Sequence, residues 1–130
     1  MSSAISSAVS GLHAASMRVE ASASNIANSR NSIRTEDVRA ADSPAVRERR
    51  DPPVYEPVRV HQEASAGGGT RAEFTPVEPP HVQVYAPDDR LADESGMVGR
   101  PNVDLVREVV NMTQAEHAYK ANLKVIATEN

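Results

Sequence analysis

The chain reads as an α+β protein: long N- and C-terminal helices paired as a coiled-coil-like hairpin, with a small antiparallel β-hairpin region and long loops between them. Three observations lead there. Ile5, Leu12, Val19 and Ile26 are spaced by seven at one end, and Leu105, Met112, Tyr119 and Ile126 by seven at the other. All nine prolines fall between Pro44 and Pro101, and proline breaks a helix interior by removing a donor and clashing with the preceding turn. The proline-bearing middle alternates β-branched with polar residues on either side of a triple glycine, a period-two pattern that belongs to strands.

The first stretch, 1–28, is helical over 3–28. Ala8 and Ala15 follow the seven-spaced set by three residues, and Val9 and Ala23 by four, which makes a narrow stripe lined by alanine and serine. Small side chains let a second helix approach closely. At 1.5 Å per residue this helix is roughly 39 Å long. Gly11 inside it costs about 1 kcal/mol relative to alanine, which points to close packing there. Ser2 or Ser3 supplies the N-cap.

Residues 29–52 have no sustained period and read as a flexible linker with a helical turn near 35–41 and a basic cluster, Arg47, Arg49 and Arg50 around Glu48. Residues 53–101 form the small β-rich middle region. Val58 and Val60 alternate with Arg59 and His61, and Val82 and Val84 with His81, Gln83 and Tyr85. Gly67-Gly68-Gly69 supplies positive φ for a reversal, so 54–64 and 70–77 make a hairpin whose Pro57 and Pro76 confine it to edge strands. Residues 87–101 read as a second loop, with turn signals at Pro87-Asp88-Asp89 and Ser95-Gly96.

The last helix spans 102–130. Pro101-Asn102 opens it, Asn102 is a good N-cap, and Asp104 and Glu108 place negative charge in its first turns. Val109 and Leu123 widen its stripe, Glu116 interrupts it, and Val103, Val106 and Val110 form a second apolar edge. A helix apolar on more than one side expects more than one partner.

Composition narrows the function. Leu, Ile, Val and Phe number only 25 of 130 residues, so little apolar area offsets chain entropy and the core is thin. A net charge of −4 argues against nucleic acid, which calls for a basic face. The absence of cysteine excludes disulfides and thiolate metal sites. No run approaches the ~20 apolar residues of a membrane span, and the N-terminus lacks the basic region of a cleaved signal peptide.

Chemistry finds no footing. His13, His61, His81 and His117 fall into no metal-ligand spacing, and Glu116-His117 lacks the second histidine of a zinc motif. Asp88, Asp89, Asp93 and Glu94 do not fit a calcium loop and read as a solvated acidic loop. The triple glycine has no Lys-Ser/Thr after it, so it is a reversal rather than a phosphate cradle. The arginine cluster reads as a solvated stretch, with an anionic partner as the sharper alternative. No nucleophile, base and orienter converge. We therefore expect no catalytic, cofactor or metal site, and a role in assembly. Periodicity alone leaves open whether the stripes close an intramolecular helix pair or join copies.

The residues also carry a resemblance. Gly96-Met97-Val98 through Pro101-Asn102-Val103-Asp104, with Val106, Glu108, Val110, Ala115, Tyr119, Ala121 and Asn122, resembles the C-terminal signature of the flagellar axial family of rod and hook proteins. Ser10-Gly11-Leu12, Ala14-Ala15 and Ala23-Ser24-Asn25-Ile26-Ala27-Asn28 resemble its N-terminal signature. With the short length, the likeness is to the proximal-rod components of the basal body. It implies a structural subunit of the flagellum, self-assembling through its terminal helices to transmit torque. It also implies export by the type III apparatus without a cleaved signal, and contacts with copies of itself and other rod proteins. The helix-pairing and assembly set is then Ile5, Leu12, Val19, Asn25, Ile26, Asn28, Pro101, Asn102, Asp104, Leu105, Val109, Met112, Tyr119, Asn122, Leu123 and Ile126. The chain departs from the family at His117, where arginine is usual, at Glu116 on the stripe, and in reaching Asn130 two or three turns early. Those departures keep a second reading in view: a soluble helical adaptor or export-associated protein outside the rod.

Overall fold

The computed structural model describes residues 3–40 and 54–129. In chain order they form α1 (Ser3–Asn28), α2 (Thr35–Ala40), β1 (Val58–Ala64), β2 (Thr70–Pro76), β3 (His81–Tyr85), β4 (Met97–Pro101) and α3 (Leu105–Glu129). Two long helices thus flank two strand pairs, β1 with β2 and β3 with β4, and the class is α+β. Ser2 and the cluster Arg47, Glu48, Arg49 and Arg50 lie outside the described residues. The chain gathers into two units, one made of Met1–Ile26, Val58–Thr75 and Asp104–Asn130, the other of Ala27–Pro57 and Pro76–Val103.

In the first unit α1 and α3 run antiparallel. Asn25 Nδ2 donates to Glu108 Oε1 at 3.3 Å and Arg18 Nη2 to Gln114 Oε1 at 3.4 Å. A methyl added at Gly11 would lie 2.7 Å from the Asn122 amide. Numbers fall along α1 as they rise along α3, which fixes the direction. The β1–β2 hairpin lies along a different side of α1. Its turn closes with Ser65 N–H donating to the Gly69 carbonyl at 3.1 Å, and Gly68 and Gly69 take φ of 91° and 82°, open to glycine at little cost. The tip rests on α1, where the Thr70 N–H donates to Ser10 Oγ at 3.0 Å and Ser10 Oγ donates to the Ser7 carbonyl at 2.7 Å. At the far end Val58 meets Asn25. The lengths agree: seven strand residues span about 23 Å, and the fifteen steps from Ser10 to Asn25 rise about 22 Å.

In the second unit β3 and β4 pair antiparallel from His81↔Pro101 to Tyr85↔Met97. The other edge of β4 is met by Ile33, which exchanges backbone bonds with Gly99 at 2.9 and 2.8 Å. β4 is therefore central, and Val98 is fully buried. A Cβ on Gly99 would sit 2.7 Å from Ile33 Cγ1, so glycine admits this close crossing. His81 is buried too, its Nε2 2.9 Å from the Tyr55 carbonyl.

Several expectations need correction here. The loop over 87–101 ends in a strand, because β4 is covered on both sides and shows no polar alternation. The linker over 29–52 carries its expected helical turn as α2, but Ile33 ahead of it is also bridged to β4. The acidic loop is not simply solvated. Asp89 accepts from Ser32 Oγ and from the Leu91 N–H at 2.9 Å, with Arg100 Nη2 at 3.6 Å. Asp93 accepts from Thr35 Oγ1 at 3.0 Å and from the N–H groups of Ser95 and Met97. These bonds tie the loop to residues 32–35. The Ser32 bond first, then the Leu91 N–H and the Arg100 charge, hold the Asp89 carboxyl below its ordinary value. Finally, α3 begins at Leu105 with Asp104 as its cap, Oδ1 accepting from the Arg107 N–H at 3.2 Å. Asn102, two residues earlier, donates instead to the Pro79 carbonyl at 2.9 Å.

Candidate functional site

The surface of interest is built from the two long helices of the first unit. On α1 the buried residues are Ala8, Ala14, Ala15, Ala21, Ser22 and Asn25. Ala8, Ala15 and Ser22 are themselves spaced by seven. On α3 the matching register is Glu108, Ala115 and Asn122, with Ala115 at 0% exposure. The helices thus close on small and polar side chains. This corrects the pairing seam expected of the large residues. Ile5, Leu12, Val19 and Ile26, and Met112 and Ile126, are only half-buried, while Leu105 and Tyr119 are exposed. At 3.6 residues per turn these large side chains lie about 20–80° around each helix from the Ala15 and Ala115 lines. They flank the seam instead of filling it. The physical reason is that the hairpin claims the opposite flank of α1 through Ser7, Ser10 and Asn25. Small residues between let the axes approach.

What remains outside is apolar. Val109 is 55% exposed and Leu123 44%, a costly amount of aliphatic surface to leave in water. Beside the seam lies an open groove of about 800 Å³, walled by Val19 on one helix and Val109, Met112 and Tyr119 on the other. Glu20, Glu116 and Lys120 stand among its lining residues. Lys120 Nζ donates to Glu116 Oε1, and that bond holds the Glu116 carboxyl below its ordinary value. Glu116, which interrupts the stripe in sequence, is therefore neutralised by a residue one turn on. A second apolar strip, Val106 and Val110, faces away from the seam on α3, with Val106 76% exposed.

The asparagines act as pins. Asn25 is buried, its Nδ2 donating to the Val58 carbonyl at 2.7 Å while its Oδ1 accepts from the Val58 N–H at 3.1 Å. A side-chain amide here replaces the missing strand neighbour of β1 and also reaches Glu108, tying three elements at one point. Asn122 Nδ2 donates to the Ala118 carbonyl of its own helix at 2.9 Å, lying over Gly11. Asn28 belongs to the second unit. It ends α1 by accepting from Asn31 through both its backbone carbonyl, at 3.1 Å, and its side chain, at 2.9 Å. Pro101 is the buried end of β4. The assembly set is thus divided: the large side chains border the groove, Asn25 and Asn122 key the helix pair, and Pro101 and Asn102 hold the β3–β4 region. Sequence reasoning missed Ser7, Ser10 and Ser22 as packing residues. The signal for Ser22 was present in its seven-spacing with Ala8 and Ala15, hidden by the more conspicuous aliphatic repeat beside it, while Ser7 and Ser10 lie outside that spacing. Among the described residues no group of three acidic or histidine side chains could hold a metal, and no helix is long and apolar enough to cross a membrane.

Comparison with known proteins bears on this surface. A family profile described as the flagellar basal body rod FlgEFG protein C-terminal matches residues 94–130, which contain all of α3. The flagellar basal-body rod protein FlgC of Escherichia coli O6:H1 (strain CFT073) is 36% identical over 119 residues, covering 92% of this chain and 82% of its own length. FlgC of Salmonella typhimurium LT2 is 35% identical with the same coverage. FlgC of Aquifex aeolicus VF5 is 32% identical over 124 residues, covering 95% of this chain and 85% of its own.

Proposed function

This chain belongs to the FlgC family of flagellar basal-body rod proteins, and from that premise we propose that it is a structural subunit of the proximal rod, polymerising through its terminal helices and carrying torque along the basal body. The observation that carries the reading is the mismatch between seam and stripe. Two long helices bury alanines against each other and leave Val109, Tyr119 and Leu123 exposed together on one flank. A subunit that worked alone would lose stability by this arrangement, while a subunit of a polymer covers the stripe with its neighbours. Its partners are copies of itself and other rod proteins, and it reaches the basal body through the flagellar type III export apparatus. Similarity over nine-tenths of the chain favours this over an adaptor outside the rod.

The test is assembly. Leu12→Asp and Leu123→Asp each place a charge on the flank and abolish rod assembly and motility, while the protein is still made and exported. Swimming at the normal rate in both variants counts against the proposal, as does the chain's absence from purified basal bodies.

A further inference from the structure

The rod assignment says that copies meet; the surface of the first unit points to which faces do. The groove and the Val106–Val110 strip are two different apolar surfaces on the same helix pair. The groove is walled by Val19, Val109, Met112 and Tyr119, with the carboxylates of Glu20 and Glu116 among its lining. The strip lies on the side of α3 turned away from α1. Helical spacing of 100° per residue puts Val106, Val110, His117 and Lys124 within about 40° of one line there. Val106 and Val110 are exposed at 76% and 48%, and His117 and Lys124 are exposed as well.

Resting on the rod reading, we infer that the groove of one copy receives the outward strip of α3 from a second copy. Two features select this occupant. The strip is narrow and helical, a valine ridge that fits between the two helices walling the groove. Its charge is complementary: Lys124 continues the ridge, and Glu20 borders the groove, where Glu116 is already paired with Lys120. Because the two faces are different patches of one subunit, the contact is head-to-tail. Such a contact does not pair two copies and stop; where its rotation fails to close a ring it builds an open helix. A groove-to-groove contact would instead be two-fold and end at a dimer. The inference therefore accounts for polymer growth from one kind of contact between two different apolar patches on each copy.

The chain has no cysteine, so engineered thiols report the contact without background. Val19→Cys marks the groove and Val110→Cys the strip, both mild changes at partly open positions. In basal bodies isolated from cells carrying the double variant and treated with a short bismaleimide, we expect a ladder of cross-linked copies. Either single variant alone is expected to give only the monomer. Dimers from Val19→Cys alone overturn the inference in favour of a two-fold contact. Cross-links to a protein other than a second copy overturn it in favour of a different rod component as occupant. A chain present in basal bodies yet monomeric after treatment overturns the contact but leaves the rod assignment standing, whereas a chain absent from them overturns both. Charge exchange gives an independent readout. Glu20→Lys reduces assembly, and adding Lys124→Glu in the same chain restores it; failure of restoration with each variant stably produced counts against the facing of these two groups.

Discussion

α1 and α3 are nearly equal in length, at 26 and 25 residues, yet α1 buries six residues and α3 buries Ala115 alone. The difference is one of neighbours. α1 has the hairpin on one flank and α3 on the other, so two of its faces are covered within the subunit. α3 packs on α1 and stands beside β1 only at its first turns, near Glu108 and Asn111, so its valines, Leu123 and Tyr119 are left at the surface. α1 is thus the internal spine of the first unit and α3 the face that it offers outward. The lesson is that hydrophobicity does not locate the core of the first unit: its buried side chains are mostly alanine, and the aliphatic residues lie at its flanks or outside.

That contrast can be broken experimentally, and the variants below run from the largest expected loss of stability to the smallest. Ala115→Leu forces an isobutyl group into the point of closest approach and destabilises the first unit by about 3 kcal/mol, read as a lowered urea midpoint by circular dichroism. Asn25→Ala leaves the Val58 N–H and carbonyl without their amide partner, costing about 2 kcal/mol; an unchanged midpoint would show that Asn25 is no pin. Gly11→Ala sets a helix-propensity gain of about 1 kcal/mol against displacement of the Asn122 amide, so the net change stays within about 1 kcal/mol. Combining it with Asn122→Ala removes the obstacle and lets the gain appear. Val109→Ala, on the outward face, shifts the midpoint by about 0.5 kcal/mol or less, while still weakening assembly. A stability loss as large as that of Ala115→Leu would erase the distinction between the two helices.

The second unit supplies a pH-dependent control. Asp89 has its folded-state pKa depressed, chiefly by the Ser32 hydroxyl. The stability it contributes is present above the ordinary aspartate value of about 3.9 and is lost as pH falls through the lower folded value. Acid titration should loosen the attachment of the 87–96 loop to residues 32–35 first, seen as faster amide exchange at Leu91. Asp89→Asn flattens that response and leaves the α1–α3 seam unaffected.

Local signals carried much of the architecture. Two proline-free ends with apolar heptads could only be long helices, because nothing in them interrupts the 3.6-residue period. A triple glycine between alternating valines could only be a reversal, because it alone tolerates the positive φ found at Gly68 and Gly69. β4 escaped notice because a strand covered on both sides loses the alternation that marks strands, and the acidic loop because hydroxyl partners 57 and 58 residues away give no local sign.

What the sequence determined by itself was the period of each helix and the surplus of apolar stripe over available core. What only the tertiary structure decided was which of two interleaved heptads faces inward. Ala8-Ala15-Ser22 and Ile5-Leu12-Val19 have the same spacing, so periodicity cannot choose between them. The choice falls to the hairpin seated on Ser7, Ser10 and Asn25, which sets the rotation of α1 and turns its aliphatic edge toward the groove.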